Sequence, residues 1–216
     1  MATTKHRLGQ FAPDFLEDQE STESPVQREI LLDHHSLGVA QHARQFAEGC
    51  GLDAGLYQEV GLWHDLGKLD ARFQAMLRQS SPRTVAGEPL AKSARSPRTK
   101  EERDRAREID RYPAGGRHEL LSAALVSTKS DDDCLLHLIA THHGSARPFA
   151  DPVVENADSR KPFNVALFDQ AFTLDTSEQR IAAWNAELPE RFWRVVRKFG
   201  WWGTAYREAV FRLADQ

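Results

Sequence analysis

The chain has 216 residues, 40% hydrophobic and 28% charged, which suits one domain with a substantial core. No apolar run approaches the roughly 20 residues needed to cross a bilayer, so no membrane partner is expected, and MATTKHRLGQ offers no apolar signal region. A formal charge of −4 excludes a uniformly basic surface. Two distant cysteines, Cys50 and Cys134, exclude a disulfide framework or a CxxC zinc site, so a reducing, cytoplasmic setting is expected.

Residues 1–25 are polar, carry Pro13 and Pro25, and read as a partly flexible leader with one short helix near Phe15 and Leu16. From Ile30 the spacing of Leu31, Leu32, His35, Val39, His42 and Phe46 predicts a helix that ends at Gly49. A second helix is predicted over Leu56–Leu66, with Gly67 as its left-handed cap. A third places Leu69, Phe73, Met76 and Leu77 on one face. Residues 80–117 break the pattern with four prolines and many charges, and read as a long charged insertion containing one helix near Lys100–Asp110. Over residues 78–117 there are eleven Lys or Arg against six Asp or Glu. That surplus marks either a nucleic-acid-facing segment or a solvated loop.

Helical spacing returns at His118–Thr128 and Cys134–His143, the latter closed by Gly144. Residues 145–164 read as a connector. Helices are predicted over Val165–Phe172, Ser177–Lys198 with a break at Pro189, and Trp202–Ala214. No alternating pattern marks a strand. The expected fold is all-α, a helical bundle with the leader at 1–25 and the main domain at 26–216.

Chemistry concentrates in seven residues: His35, the pair His64-Asp65, His118, the pair His142-His143, and Asp215. Five of the nine histidines belong to this set, inside apolar segments where an unpartnered imidazole is costly. Imidazole nitrogens and carboxylate oxygens are ligands that transition metals accept together. A carboxylate such as Asp65 can bridge two ions, which a single imidazole cannot do without losing its proton. His34 points about 100° away from His35 on a helix, and His42 shares the His35 face as a second-layer neighbour. His137 is expected to face solvent. Lys68, just after Gly67, is placed to hold a phosphate as a point charge; Asp65 and Lys68 are the candidate catalytic residues. Arg117 and Arg147 flank the candidate ligands His118 and His143 and join Lys68 as candidate substrate contacts. The segment ERFWRVVRKFGWW reads as a core stripe through Phe192, Val195, Val196 and Phe199, or as a surface that stacks bases.

Taken in order, His35, His64-Asp65 and Asp215 resemble the H…HD…D signature of the HD phosphohydrolase superfamily. His118 and His142-His143 resemble the added histidines of its two-metal members. The strings HDLGKLDARFQ, HELLSAALV and THHG resemble the HD nuclease domain of the CRISPR-associated nuclease-helicase of type I systems. RYPAGGRHELLS with THHGSARPF is most similar to the type I-G (I-U) branch. The resemblance covers about residues 30–216. It implies an HD-domain bundle and a metal-dependent single-stranded DNA nuclease with two divalent transition-metal ions (Mn, Fe, Co or Ni, with Mg possible). By position, His35, His64, Asp65 and Asp215 would hold one ion; Asp65, His118, His142 and His143 would hold the other. The implied partners are single-stranded DNA, a superfamily-2 helicase domain or subunit, and a CRISPR surveillance complex. The chain carries no Walker-type glycine loop of its own. Two other readings stay open: an HD-type nucleotide or cyclic-dinucleotide phosphohydrolase, and a non-catalytic docking module with a vestigial metal site.

Overall fold

A computed structural model describes residues 28–93, 99, 101–102, 105, 112, 116–150, 163–174 and 187–216. The expected leader at 1–25, most of the charged helix near residue 105 and the stretch 177–186 lie outside the described residues. Among the described residues six helices carry the fold, with two small antiparallel pairs of strands. No helix among the described residues is long and apolar enough to cross a membrane.

Helix α1 spans Leu32–Gly49 and buries Leu32, Ser36, Val39, Ala40, Ala43 and Ala47. That face is set one residue from the face the sequence suggested, so His42 and Phe46 are exposed and stack on each other at 6.4 Å. The stripe is narrow because its members are small. Helix α2, Ala54–Trp63, therefore comes very close: a Cβ on Gly61 would stand 2.4 Å from Ala40 Cα. Asp53 starts α2, its Oδ1 accepting from Leu56 N at 3.0 Å.

The second helix differs from expectation at its far end. It stops at Trp63, and Leu66–Leu69 tightens into a 3-10 turn. Gly67 is thus no left-handed cap. It is glycine because the turn presses on the helix that begins at His118, where a Cβ would meet the His118 carbonyl oxygen at 2.1 Å. Its N–H donates to Ser122 Oγ at 2.7 Å.

Helix α3, Ala71–Arg78, is capped by Asp70, which accepts from Arg72 N at 2.8 Å. Phe73, Met76 and Leu77 pack with Leu90, Leu31 and Tyr112 in a small second core. Leu90 belongs to strand β2, Leu90–Lys92, which pairs antiparallel with β1, Ile30–Leu31. The segment expected as insertion therefore contributes a strand beside α3.

Helix α4, His118–Val126, is buried along its whole length and forms the centre of the bundle. Helix α5, Asp133–Thr141, starts at Asp132, whose Oδ1 accepts from Cys134 N and Leu135 N. Leu120, Leu125, Leu135, Ile139, Leu66 and Phe211 are all fully buried in this core.

Residues 165–172 are not helical. Strands β3, Phe163–Leu167, and β4, Gln170–Leu174, form a hairpin with Phe163 opposite Leu174. Phe168 and Asp169 take φ of 50° and 61°, the two-residue turn whose twist matches a hairpin. Phe172 and Leu174 point inward, and Phe172 meets Trp63 edge-on at 5.1 Å.

The last helical stretch, α6, runs Leu188–Ala214 as two helices that meet at a kink, so the expected separation between Lys198 and Trp202 is present. Pro189 sits in its first turn, where a missing N–H costs nothing, so it starts the helix and does not break it. The bend comes at Gly200, with φ 72° and ψ 169°. Phe192, Val195 and Val196 form the core stripe, while Trp193, Trp201 and Trp202 are exposed.

Candidate metal centre

Five helix ends or edges deliver the seven residues to one place. His35 comes from the first turn of α1. His64 and Asp65 occupy the turn between α2 and the 3-10 segment. His118 opens α4, His142 and His143 follow α5, and Asp215 caps α6. Residues at helix ends are spared the helical constraint of diverging by 100°, so adjacent side chains reach one centre.

Two sets of donors can each hold an ion. His35, His64 and Asp215 have donor atoms within 4.8 Å of one another, as do Asp65, His118, His142 and His143. Asp65 joins both sets. Its Oδ2 lies 3.4 Å from both His35 Nε2 and His64 Nε2. Its Oδ1 lies 3.1 Å from His118 Nε2 and 3.8 Å from His142 Nε2. Asp215 Oδ1 closes the first set at 3.3 Å from His35 and 3.2 Å from His64. His143 Nε2 closes the second at 3.1 Å from His118 Nε2.

These spacings suit metal ligation. Donors about 2.0–2.2 Å from one ion stand about 3–3.4 Å apart along a coordination edge. The tautomers suit it too. His64 Nδ1–H donates to Gly61 O at 2.8 Å, and His142 Nδ1–H donates to Ile139 O at 2.7 Å. Each ring is thereby fixed with its Nε2 directed into the centre. Those two Nε2 atoms and both Asp65 oxygens are buried and have no hydrogen-bond partner. Buried polar atoms gathered at one point without hydrogen bonds are costly, and a cation shared among them would offset that cost. The residues present fit a divalent metal ion.

Electrostatics say the same. Burial opposes ionisation of Asp65, but the nearby Lys68 ammonium and His64 hold its pKa well below the carboxylate range. Burial likewise opposes Asp215, and His64 with His35 brings it well below that range. Burial works against a charged His64 ring, yet Asp65 and Asp215 raise its pKa to about 10. A protonated His64 thus places positive charge beside both carboxylates. His142 is pushed down to about 4 by burial and by His64, and His143 falls further through burial and His142. Both present neutral rings, the form a metal binds.

Lys68 is buried, with Nζ 2.9 Å from Asp65 Oδ2 and donating to Ala91 O at 3.2 Å. The ammonium forms an ion pair with Asp65 but is not directed at it as a hydrogen bond. Arg117 Nε is bound to Glu119, and Arg147 Nε lies 3.1 Å from Glu208 Oε2.

Neither glutamate stands out in the sequence as a site residue. Glu119 is buried, with Oε2 3.6 Å from His118 Nδ1, and its place in the string RHE beside a candidate ligand was the available signal. Glu208 accounts for a correction. His137, expected in solvent, is buried with its Nε2 2.6 Å from Glu208 Oε1. The reason is a partner 71 residues away that no local pattern shows. His42, expected as a second-layer neighbour, is exposed because α1 turns its small-residue stripe inward.

A family model described as the HD domain of Cas3 matches residues 21–206. That span covers all of the metal-centre residues except Asp215. No curated protein and no solved structure gives a match. The chain belongs to the Cas3 HD-domain family.

Proposed function

We propose that this Cas3 HD-family chain is a metal-dependent single-stranded DNA nuclease of a type I CRISPR system, working with two divalent ions. Family membership carries metal-dependent phosphohydrolase chemistry. The observation that supports the finer reading is Asp65, whose two buried oxygens face two separate sets of histidines. His35, His64, Asp65 and Asp215 would hold one ion, and Asp65, His118, His142 and His143 the other. Mixed nitrogen and oxygen ligation suits Mn, Fe, Co or Ni, with Mg a weaker fit.

Ions in such a site supply positive charge that activates water and offsets the charge developing on phosphate. The chain's residues do the rest. Asp65 fixes the two donor sets at one spacing. Gly61 O and Ile139 O keep the protons of His64 and His142 on Nδ1. Lys68 neutralises Asp65 and adds positive potential beneath the phosphate. Arg117 acts through Glu119 on His118, and Arg147, anchored by Nε, keeps its remaining donors for the strand. Residues 26–216 form the nuclease domain, and the strings around His118 and His143 support the I-G branch. The partners proposed are single-stranded DNA, a superfamily-2 helicase and the surveillance complex, in the cytoplasm.

The test compares a single-stranded oligonucleotide, its duplex and a cyclic dinucleotide as substrates in Mn²⁺. Cleavage of the single strand at well over ten times the rate of the others supports this reading. Preference for the cyclic dinucleotide would make the chain a small-molecule phosphohydrolase. No hydrolysis with any divalent metal would leave a docking module.

A further inference from the structure

The arginines that lie within four residues of the candidate donors His118, His143 and Asp215 differ in one respect. Arg117 and Arg147 are each engaged by a buried glutamate, Glu119 and Glu208. Arg212 makes no hydrogen bond or ion pair among the described residues. It is exposed, in the last turn of α6.

Its position is nonetheless defined. Arg212 lies three residues before Asp215, a donor of the first set. Across the centre it lies against Gly144, the residue that follows His143 of the second set. A Cβ on Gly144 would stand 2.9 Å from Arg212 Nη1. Gly144 has a φ of 85°, where a side chain is strained, and its bare backbone gives the guanidinium room to lie flat. A planar cation with no hydrogen bond or ion pair among the described residues thus lies beside the backbone that follows His143, on the same helix end as Asp215. Guanidinium is the group that recognises a phosphate with two parallel N–H donors.

We infer that Arg212 binds a phosphate of the nucleic-acid strand at the rim of the metal centre. The inference rests on the nuclease reading above and adds a residue to it. The alternative role is structural, as a cation facing the C-terminal end of the α6 dipole.

The experiment is equilibrium binding of a fluorescent oligothymidylate with phosphorothioate linkages, which resist hydrolysis, to the full chain in Mn²⁺ over a range of KCl. Wild type, Arg212→Gln and Arg212→Lys are compared, with bound metal and Tm recorded for each. Losing one phosphate contact from a single strand lowers the slope of log affinity against log salt by about 0.7. Arg212→Gln is expected to show that drop and roughly three- to tenfold weaker binding at low salt, with metal content and Tm unchanged. Arg212→Lys is expected to keep the wild-type slope. An unchanged slope in Arg212→Gln overturns the inference, as does weaker binding explained by lost metal or lowered Tm. A wild-type chain that binds no single strand would instead overturn the nuclease reading itself.

Discussion

Asp65 Oδ1 stands 3.1 Å from His118 Nε2, while the other oxygen of the same carboxylate stands 3.4 Å from His35 and His64. The two residues therefore differ in reach: His118 serves one donor set and Asp65 serves both. Metal analysis of purified variants reads that difference. Wild type is expected to hold about two equivalents, His118→Ala about one, and Asp65→Ala less than one, with nuclease activity down at least about a thousandfold in Asp65→Ala. Equal metal content in the two variants would remove Asp65 from its shared position.

Metal affinity is expected to rise with pH. The pKa of His64 lies at about 10 in the folded, metal-free protein, against an ordinary value of 6.5. A raised pKa contributes stability that is fully present below about 6.5 and lost as pH climbs towards about 10. Metal needs the neutral ring, so binding must release that proton. Apparent affinity should grow by up to about tenfold per pH unit across this window, and the metal-free protein should melt lower at about pH 9 than at about pH 7. Calorimetric titrations at those two values measure it, and equal affinities would contradict the assignment.

Gly67→Ala is expected to cost about 1–3 kcal/mol, because its methyl group would overlap the His118 carbonyl and part the 3-10 turn from α4. His118 moves with that carbonyl, so weaker metal binding should accompany the lower Tm. Wild-type stability and metal content in this variant would show that the approach is looser than 2.1 Å implies.

His137→Ala should destabilise the fold without touching the metal. His137 and Glu208 meet at 2.6 Å inside the protein, and the variant leaves Glu208 with Arg147 alone. The expected loss is about 2–4 kcal/mol in denaturant unfolding, with metal equivalents as in wild type. Loss of metal without loss of stability would place His137 in the centre instead.

What the sequence discloses follows from how local each signal is. The donors that gather in the candidate centre are legible because His64-Asp65 and His142-His143 are doublets at helix ends, where packing gives no reason for two polar neighbours. The inward face of α1 was misplaced by one residue, since Ala40, Ala43 and Ala47 give a weaker apolar signal than Phe46. The β3–β4 hairpin was read as a helix although Phe163, Val165 and Leu167 alternate, because its turn is Phe168-Asp169 and not the usual Asn-Gly. The pairing of His137 with Glu208 depends on α5 lying beside α6, which only the folded chain discloses.

Digestion of circular single-stranded DNA across a panel of Mn²⁺, Fe²⁺, Co²⁺, Ni²⁺ and Mg²⁺, with Asp65→Ala alongside, tests the account most directly. A circle has no ends, so internal cutting alone can open it. The expected result is linearisation and fragmentation by wild type with a transition metal, and an intact circle with Asp65→Ala. An intact circle with wild type under every metal, or equal cutting by Asp65→Ala, would contradict it.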